Sequence, residues 1–317
     1  MEAIQSGRVI VYGDAFVDYI ATDRSNTEFN RHLGGATVNV AAGLARLGTA
    51  SSFITVTGDD EAGRFAREGL LAEGVELDLA VRDPGKRVVR LYIHLDESGE
   101  RVFHTYHDET PAIQVRPGDI PAGALEGVSL LHLASGTMFH PAARETTERL
   151  VELAGAGGVP ISIDANIRPA RWADKETCRK TVSRFIEEAS IVKMTKEELS
   201  FLTGTESLGE GLQLIRRPAH QVLFITDGAN GTHGMLGGSD LGAVHVPATA
   251  VRAVDTTGAG DAFMAGILHF VRVRGMPGDR DALIRCAEFG NRLGAMAVTR
   301  KGALTALPHA GEPGTCL

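Results

Sequence analysis

The 317 residues are 43% hydrophobic and 23% charged, the balance of an ordinary globular protein, which excludes wholesale disorder, collagen and coiled coil. At about 150 residues per domain the length predicts two domains, or one large α/β unit with an appendage. Arginine and lysine number 32 against 40 aspartates and glutamates, a net charge of −8; no basic field exists for a phosphate backbone, and nucleic acid is not an expected partner.

Residues 1–4 lack the basic-then-apolar order of a secretory leader. No apolar run approaches the ~18 residues of a membrane span, so a soluble protein with no membrane partner is expected. Residues 8–12 (RVIVY) are a short apolar run closed by Gly13, the pattern of a buried strand. Residues 39–47 carry Val40, Ala41, Leu44 and Leu47 at helical spacing, with Gly48 placed to end the helix. Further strands are predicted at 52–56, 128–133, 159–163, 189–194 and 222–226, with helical stretches such as 142–153 and 175–188 between the later ones. That alternation predicts an α/β fold, a mostly parallel sheet covered on both faces.

Residues 86–107 break the pattern. Two extended runs, 88–95 and 101–106, are joined by Asp96 to Glu100, a glycine-containing turn of the hairpin kind. With the polar stretch 14–32 they are predicted to form a small antiparallel sheet projecting from the main domain, either a lid or an ordinary edge hairpin. On a regular strand His104 and His107 would point to opposite faces and make no metal pair. The glycine- and proline-rich end, 308–317, is expected to fray. Cys178, Cys286 and Cys316 form no CxxC pair, which argues against a disulfide framework or zinc site and for a reducing, cytoplasmic setting.

The most informative stretch is 255–263, DTTGAGDAF, which leads into an apolar helical run through Ile267, Leu268, Phe270 and Val271. Gly258, Ala259 and Gly260 at the mouth of a helix leave backbone N–H groups without intrahelical partners, and their partial charge suits an anion such as a phosphoryl group. Asp261 in the first turn could take a proton from an attacking hydroxyl, or could do no more than complement the helix dipole. Gly34 and Gly35 ahead of a helix let a ligand approach the backbone, and Asn39 offers hydroxyls a donor and an acceptor; a turn with a solvent-facing Asn reads the same. Asp164 to Arg168 (DANIR) directly follow a strand, where ligands of parallel sheets gather, though an Asx turn and a surface Arg also fit. Thr195 and Glu198, ahead of Leu199 and Leu202, match a capping box with Gly204 at the helix end; Glu198 could also hold a water on Mg²⁺. Thr226 to Gly231 (TDGANG) closes another strand and either contacts a nucleotide or simply turns. No GxxxxGK[ST], helix-opening GxGxxG, GxSxG or HExxH occurs.

Taken together, GGATVNVAAGLARLG at 34–48 and DTTGAGDAF at 255–263 resemble the paired signatures of the ribokinase-like, or PfkB, carbohydrate kinases, and the similarity runs in order from Gly13 to about Gly302. The resemblance implies a three-layer α/β/α core made of residues 1–13, 34–85 and 108–310, a β-sheet lid from 14–33 and 86–107, and a tail from 311. It implies ATP as phosphoryl donor with Mg²⁺, a small sugar as acceptor, and a homodimer formed through the lid strands. It makes Asp261 the base, and the Gly258, Ala259 and Gly260 amides the anion hole. Asp18, Gly34, Gly35, Asn39 and Tyr106 become sugar-binding positions, with Asn166 and Arg168 lining the sugar–phosphate cleft. Lys193 falls at a phosphate position and Glu198 at that of the Mg²⁺-bound water. The family's N-x-x-E motif has Thr195 in place of its Asn. Thr226, Gly228 and Gly231 fit the nucleotide loop, with Asn291 and Gly302 near the adenine. Asp255 and Thr257 are the nearest candidates for a K⁺ beside the anion hole.

Within the family, DANIRPARW at 164–172, the stretch around 191–204 and GERVFHTYHDETPA at 99–112 look most similar to bacterial fructokinases, so fructose is the favoured acceptor. The 2-keto-3-deoxygluconate kinases share the layout but hold a carboxylate with an arginine shortly after the lid tyrosine. This chain has His107 there, a weaker carboxylate partner, leaving Arg168 and Arg90 to serve. A nucleoside kinase of the same family and a non-catalytic sugar sensor are the remaining alternatives, the latter disfavoured by an intact Asp261.

Overall fold

The computed structural model describes residues 7–238 and 242–317; residues 1–4, on which the absence of a leader was read, lie outside them. The central sheet runs through the predicted strands. Strand β1 (Arg8–Tyr12) is followed by β2 (Phe16–Ala21), β3 (Phe29–Gly34), helix α1 (Ala36–Arg46), β4 (Ser51–Ile54), β5 (Val56–Thr57), α2 (Glu61–Ala72) and β6 (Val81–Arg82). Next come β7 (Val89–Leu95), β8 (Arg101–His107), β9 (Val128–Ala134), α3 (Pro141–Gly157), β10 (Ile161–Asp164), α4 (Lys175–Ile186) and β11 (Ile191–Thr195). The chain ends with α5 (Lys196–Thr203), α6 (Leu208–Ile215), β12 (Val222–Thr226), β13 (Thr232–Leu236), β14 (Val244–Val246), α7 (Ala259–Arg274) and α8 (Arg280–Val298).

Eight strands form the main sheet in the order β14-β13-β12-β11-β10-β9-β1-β4. Every pair from β4 to β12 is parallel, while β13 and β14 fold back antiparallel at one edge. Parallel strands are buried on both faces, and the alternation in β1 makes this visible. Val9 and Val11 belong to one core with α1, α2, α7 and α8, whereas Ile10 and Tyr12 belong to a second core with α3, α4, α5 and α6. From β1 the chain goes to β4 on one side and the later strands build out on the other. Such a reversal of strand order opens a crevice beyond the carboxyl ends of the strands. Among the described residues, no helix is long and apolar enough to cross a membrane.

The second sheet has the order β3-β2-β7-β8. It was expected to be antiparallel throughout, but β2 and β7 pair in parallel. Both leave the core in the same direction, and each is returned to it by its own hairpin partner, so the two outgoing strands lie side by side. One further expectation fails here. A bulge shifts the register so that Tyr92 opposes Thr105 while Ile93 opposes Phe103, leaving His104 as the extra residue. His104 stacks on His94 at 3.7 Å, and His107 meets the edge of Tyr92 at 5.3 Å. Tyr92 and His94 share a face of β7, so the two imidazoles do too. Among the described residues no group of three or more metal-ligating side chains forms around them.

The tail does not fray. The Ala310 N–H donates to the Arg46 carbonyl, Arg274 donates to the Leu317 carbonyl, and Arg300 pairs with Glu312. Thr315 is buried, so its glycines and prolines serve turns packed on α1, α7 and α8.

Helix α7 is held on the sheet by Phe263, whose ring meets that of Phe224 on β12 edge-on at 5.8 Å. Phe224 has no exposed surface. Phe224→Ala is expected to destabilise the protein by about 3–5 kcal/mol in urea denaturation, because both the transfer term and a cavity are lost; a change below about 1 kcal/mol would show that α7 does not depend on this contact.

Candidate active site

The loops at the carboxyl ends of β1, β9, β10, β11 and β12 surround two adjoining cavities. The first, about 490 Å³, is lined by Asp14, Phe16, Asp18, Gly34, Gly35, Asn39, Asn166, Arg168, Arg171, Lys193, Glu198 and Asp261, among others. The second, about 620 Å³, is lined by Thr226, Gly228, Gly231, Phe263, Asn291 and the 248–251 segment, among others. Lys193, Thr195, Thr256 and Gly260 line both. The cavities therefore meet at the start of α7.

That start has a specific construction. Gly258 is the N-cap in the left-handed region, at φ 80°, and no side chain caps the helix. A side chain at Gly258 would be strained by that φ, and its Cβ would lie 2.9 Å from the Ala303 Cα. A Cβ on Gly260 would stand 3.0 Å from the Lys193 ammonium. The amides of the first turn are thus left bare at the junction of the cavities, a place suited to an anion.

Asp261 follows directly and is 8% exposed. Its Oδ2 accepts a 2.7 Å hydrogen bond from the Asn39 side-chain amide, which joins α1 to α7. Burial lifts its pKa to about 6; Asp164 adds to the rise, while the Asn39 bond, Lys193 and Arg168 oppose it. Asp18, across the first cavity, is likewise lifted to about 6 by burial. Asp18 Oδ1 and Asn39 Oδ1 are both buried without a hydrogen-bond partner, two unpaired acceptors on residues that line the same cavity. Gly34 leaves the room for this: a Cβ there would lie 2.6 Å from Asp18 Oδ2.

Beneath these groups lies a dry ionic cluster. Lys193 Nζ donates to both Asp164 oxygens, at 2.9 and 3.1 Å, and both side chains are almost fully buried. Burial alone would lower the Lys193 pKa, but Asp164 and Glu198 outweigh it and hold the ammonium charged. Thr195 and Glu198 form the capping box, with Glu198 Oε2 accepting from the Thr195 N–H at 2.8 Å. Glu198 Oε1 accepts from the Ile167 N–H at 2.7 Å. Burial, then Asp164, raise the Glu198 pKa. Asn166 sits at φ 37°, a left-handed turn that Asn tolerates.

The pfkB family carbohydrate kinase pattern matches residues 6–310. The chain belongs to that family. Its relatives include the fructokinase of Klebsiella pneumoniae, 36% identical over 96% of this chain and 97% of the relative. The crystal structure of the Vibrio cholerae O395 fructokinase in a fructose, ADP and calcium ion bound form superposes with a TM-score of 0.81 at 32% identity, covering 96% of each chain. Aminoimidazole riboside kinase of Salmonella enterica, complexed with aminoimidazole riboside and an ATP analogue, follows at a TM-score of 0.79 and 30% identity, covering 95% of this chain and 96% of that one. This pfkB-family protein is an ATP-dependent sugar kinase with a ribokinase-like fold.

The kinase cleft gathers most of the residues singled out from sequence, with several exceptions. Tyr106 is outside the lining of the first cavity; it packs edge-on to Phe16 at 6.3 Å, and Phe16 does line it. His107 and Arg90, weighed as carboxylate partners, lie on the opposite face of the small sheet, with Arg90 paired to Glu109. Arg168 lines the cleft. Asp255 lines neither cavity: Oδ1 accepts from the Thr257 N–H and hydroxyl, and Oδ2 from the Gly302 N–H, bracing the loop before α7. Asn291 lines the second cavity, yet its amide donates to the Val246 and Pro247 carbonyls and accepts from the Thr232 hydroxyl. Sequence reasoning gave no role to Asp14, Phe16, Phe139 or Arg171, and took Asp164 only as one of the polar residues that follow a strand.

The raised pKa of Asp261 has a consequence for stability. Its ordinary value is 3.8 and its folded value about 6, so the folded state holds the proton more tightly and loses stability as pH rises through that window. Asp261→Asn keeps an acceptor for Asn39 and removes the buried charge. The variant is expected to be more stable than the unaltered kinase by up to about 3 kcal/mol at pH 8, the gain vanishing toward pH 4; a gain independent of pH in urea melts would refute this.

Proposed function

We propose that the kinase transfers the γ-phosphoryl group of ATP to a hydroxyl of fructose, with Asp261 as the base. The observation that carries this reading is a buried carboxylate in the first turn of α7, bonded to Asn39, at the junction of two cavities. The names of the relatives and the fructose-bound neighbour support the choice of sugar. Phosphoryl transfer needs alignment and charge compensation more than covalent help. The sugar lies in the first cavity, its hydroxyls donating to the open Asp18 and Asn39 oxygens, and the nucleotide lies in the second, along Thr226, Gly228, Gly231 and Asn291. The accepting hydroxyl gives its proton to Asp261 as its oxygen bonds to the γ-phosphorus and the bond from that phosphorus to the bridging oxygen breaks, releasing ADP. The Gly258, Ala259 and Gly260 amides, with Lys193, take up the charge on the phosphoryl oxygens. The small sheet covers the sugar and keeps water from competing as acceptor.

Mg²⁺ is the cation the family implies. Each Glu198 oxygen accepts one backbone N–H and keeps a lone pair, which fits an ion that retains its waters and binds through few carboxylates. Glu198 would hold it through a bound water, and when bound it supplies charge neutralisation at the phosphates. A K⁺ at Asp255 and Thr257 would compete with Arg101, whose guanidinium is 3.9 Å from Asp255. A homodimer through the lid strands is part of the proposal, supported by the exposed Phe103 and Val102 on β8. Three free cysteines fit a cytoplasmic setting.

A riboside acceptor is the second reading, favoured by the riboside-kinase neighbour. A panel of fructose, ribosides and 2-keto-3-deoxygluconate, with ADP release as readout, separates them; fructose is expected to give the highest kcat/KM, and a riboside preference would overturn the choice. Asp261→Asn is expected to lower kcat by about 10²–10⁴-fold while calorimetric ATP affinity stays within about threefold. Near-normal turnover would remove Asp261 from the base role.

Asp261 and Asp18 both titrate near 6, and both must be ionised, one as base and one as acceptor of sugar hydroxyl bonds. The value of kcat/KM for the sugar is therefore expected to fall below pH 6 with a limiting slope steeper than one proton. A single-proton slope would leave one of the two without its role.

A further inference from the structure

We infer that Arg171 is a positioning residue that fastens the small sheet over the sugar cavity. It ends the short turn Pro169–Arg171 after β10, on the core, and its side chain is only 19% exposed. The guanidinium carbon lies 4.0 Å from the centre of the Phe139 ring, which belongs to the core loop after β9. The same guanidinium lies 5.5 Å from Tyr106 on β8 and 5.6 Å from Phe16 on β2. One cation is thus shared by an aromatic of the core and two aromatics of the sheet above the cleft. Its fourth neighbour is Asp14, at 3.6 Å, in the three-residue span where the chain passes from β1 to that sheet.

The arrangement suits arginine and not lysine. A planar guanidinium can lie against a ring on each side while an N–H still reaches a carboxylate, whereas an ammonium offers one point charge. The clamp also borders the reaction, since Phe16, Phe139 and Arg171 line the cavity that holds Asp18 and Asp261. Asp14 is partly exposed at the crossing, with the Lys86 charge as a second cation and Asp108 as a competing anion. Losing Arg171 therefore leaves both a partly enclosed carboxylate and two sheet aromatics without the group that orders them. The sheet would then spend less time closed over bound sugar, and the nucleotide's phosphate would be exposed to water.

The inference rests on the sugar occupying the first cavity, which the turnover of the unaltered kinase tests separately. The experiment compares Arg171→Met and Arg171→Lys with the unaltered kinase, using the sugar it turns over fastest. Both variants are expected to raise KM for the sugar by about tenfold, with KM for ATP changed by less than about twofold. Both are also expected to raise the ratio of sugar-independent ATP hydrolysis to sugar phosphorylation several-fold. A double-mutant cycle with Tyr106→Leu is expected to be non-additive in the sugar KM. Unchanged sugar KM and hydrolysis ratio would overturn the inference, as would full rescue by lysine. An equal loss for both substrates with a lowered melting temperature would assign Arg171 a purely structural role and overturn it too. Absence of turnover in the unaltered kinase would instead count against the sugar-kinase reading itself.

Discussion

A carboxylate kept out of water at the mouth of a helix is the constraint around which this molecule is arranged. Asp261 would be a weak base in solvent. Burial raises it to about 6, nearer to neutrality, where a general base works best. The same dryness would drive it to hold its proton permanently if nothing opposed it. The Asn39 hydrogen bond and the Lys193 and Arg168 charges do oppose it, so the group stays within reach of ionisation. Lys193 cannot be read as a free cation waiting for phosphate. It shares its charge with Asp164, so the bare amides of α7 supply much of the local positive field and Lys193 adds to it.

The fold serves this constraint through two helix starts. Helix α1 delivers Asn39 one turn after Gly35, and α7 delivers Asp261 one turn after Gly258. At the far end of α1, Arg46 donates to the Leu304 and Leu307 carbonyls and pairs with Glu73, the residue that caps the end of α2. That one guanidinium ties α1 to the segment beyond α8, which includes Ala303 beneath Gly258. The relation between the two helix starts is thereby fixed from behind as well as by the Asn39–Asp261 bond. Such placement of the proposed catalytic groups on packed elements holds a site more closely than loops could.

Much of this was legible in the chain because the signals were local. The apolar runs of the parallel strands, the glycines before α1 and α7 and the capping box at Thr195 each declare themselves within about ten residues. Gly34 was read as a place where backbone and ligand approach; in the structure the space is also taken by Asp18, which the residues alone did not indicate. What escaped notice depends on distant parts of the chain meeting. Arg171 meets Asp14 and Phe16 across some 155 residues, and nothing near Arg171 announces either. The parallel pairing of β2 with β7 follows from which way each strand leaves the core, a property of the whole path. The tail looked loose from its composition, and only its partners on neighbouring helices, the Arg46 carbonyl and the Arg274 side chain, show otherwise.

The irregularity at His104 has an effect beyond its two neighbours. Arg101 and Tyr106 stand five positions apart, an odd number, and an unbroken ladder would send one toward the cleft and the other outward. The supernumerary residue between them reverses the phase of the outer half of β8. Arg101 opposes Leu95 and Tyr106 opposes Leu91, and those two leucines share a side of β7. Both the arginine at the tip and the tyrosine nearer the hinge accordingly look inward, the former toward Asp255 and the latter toward Phe16. A single unpaired position lets a short hairpin address the loop before α7 and the start of β2 at once.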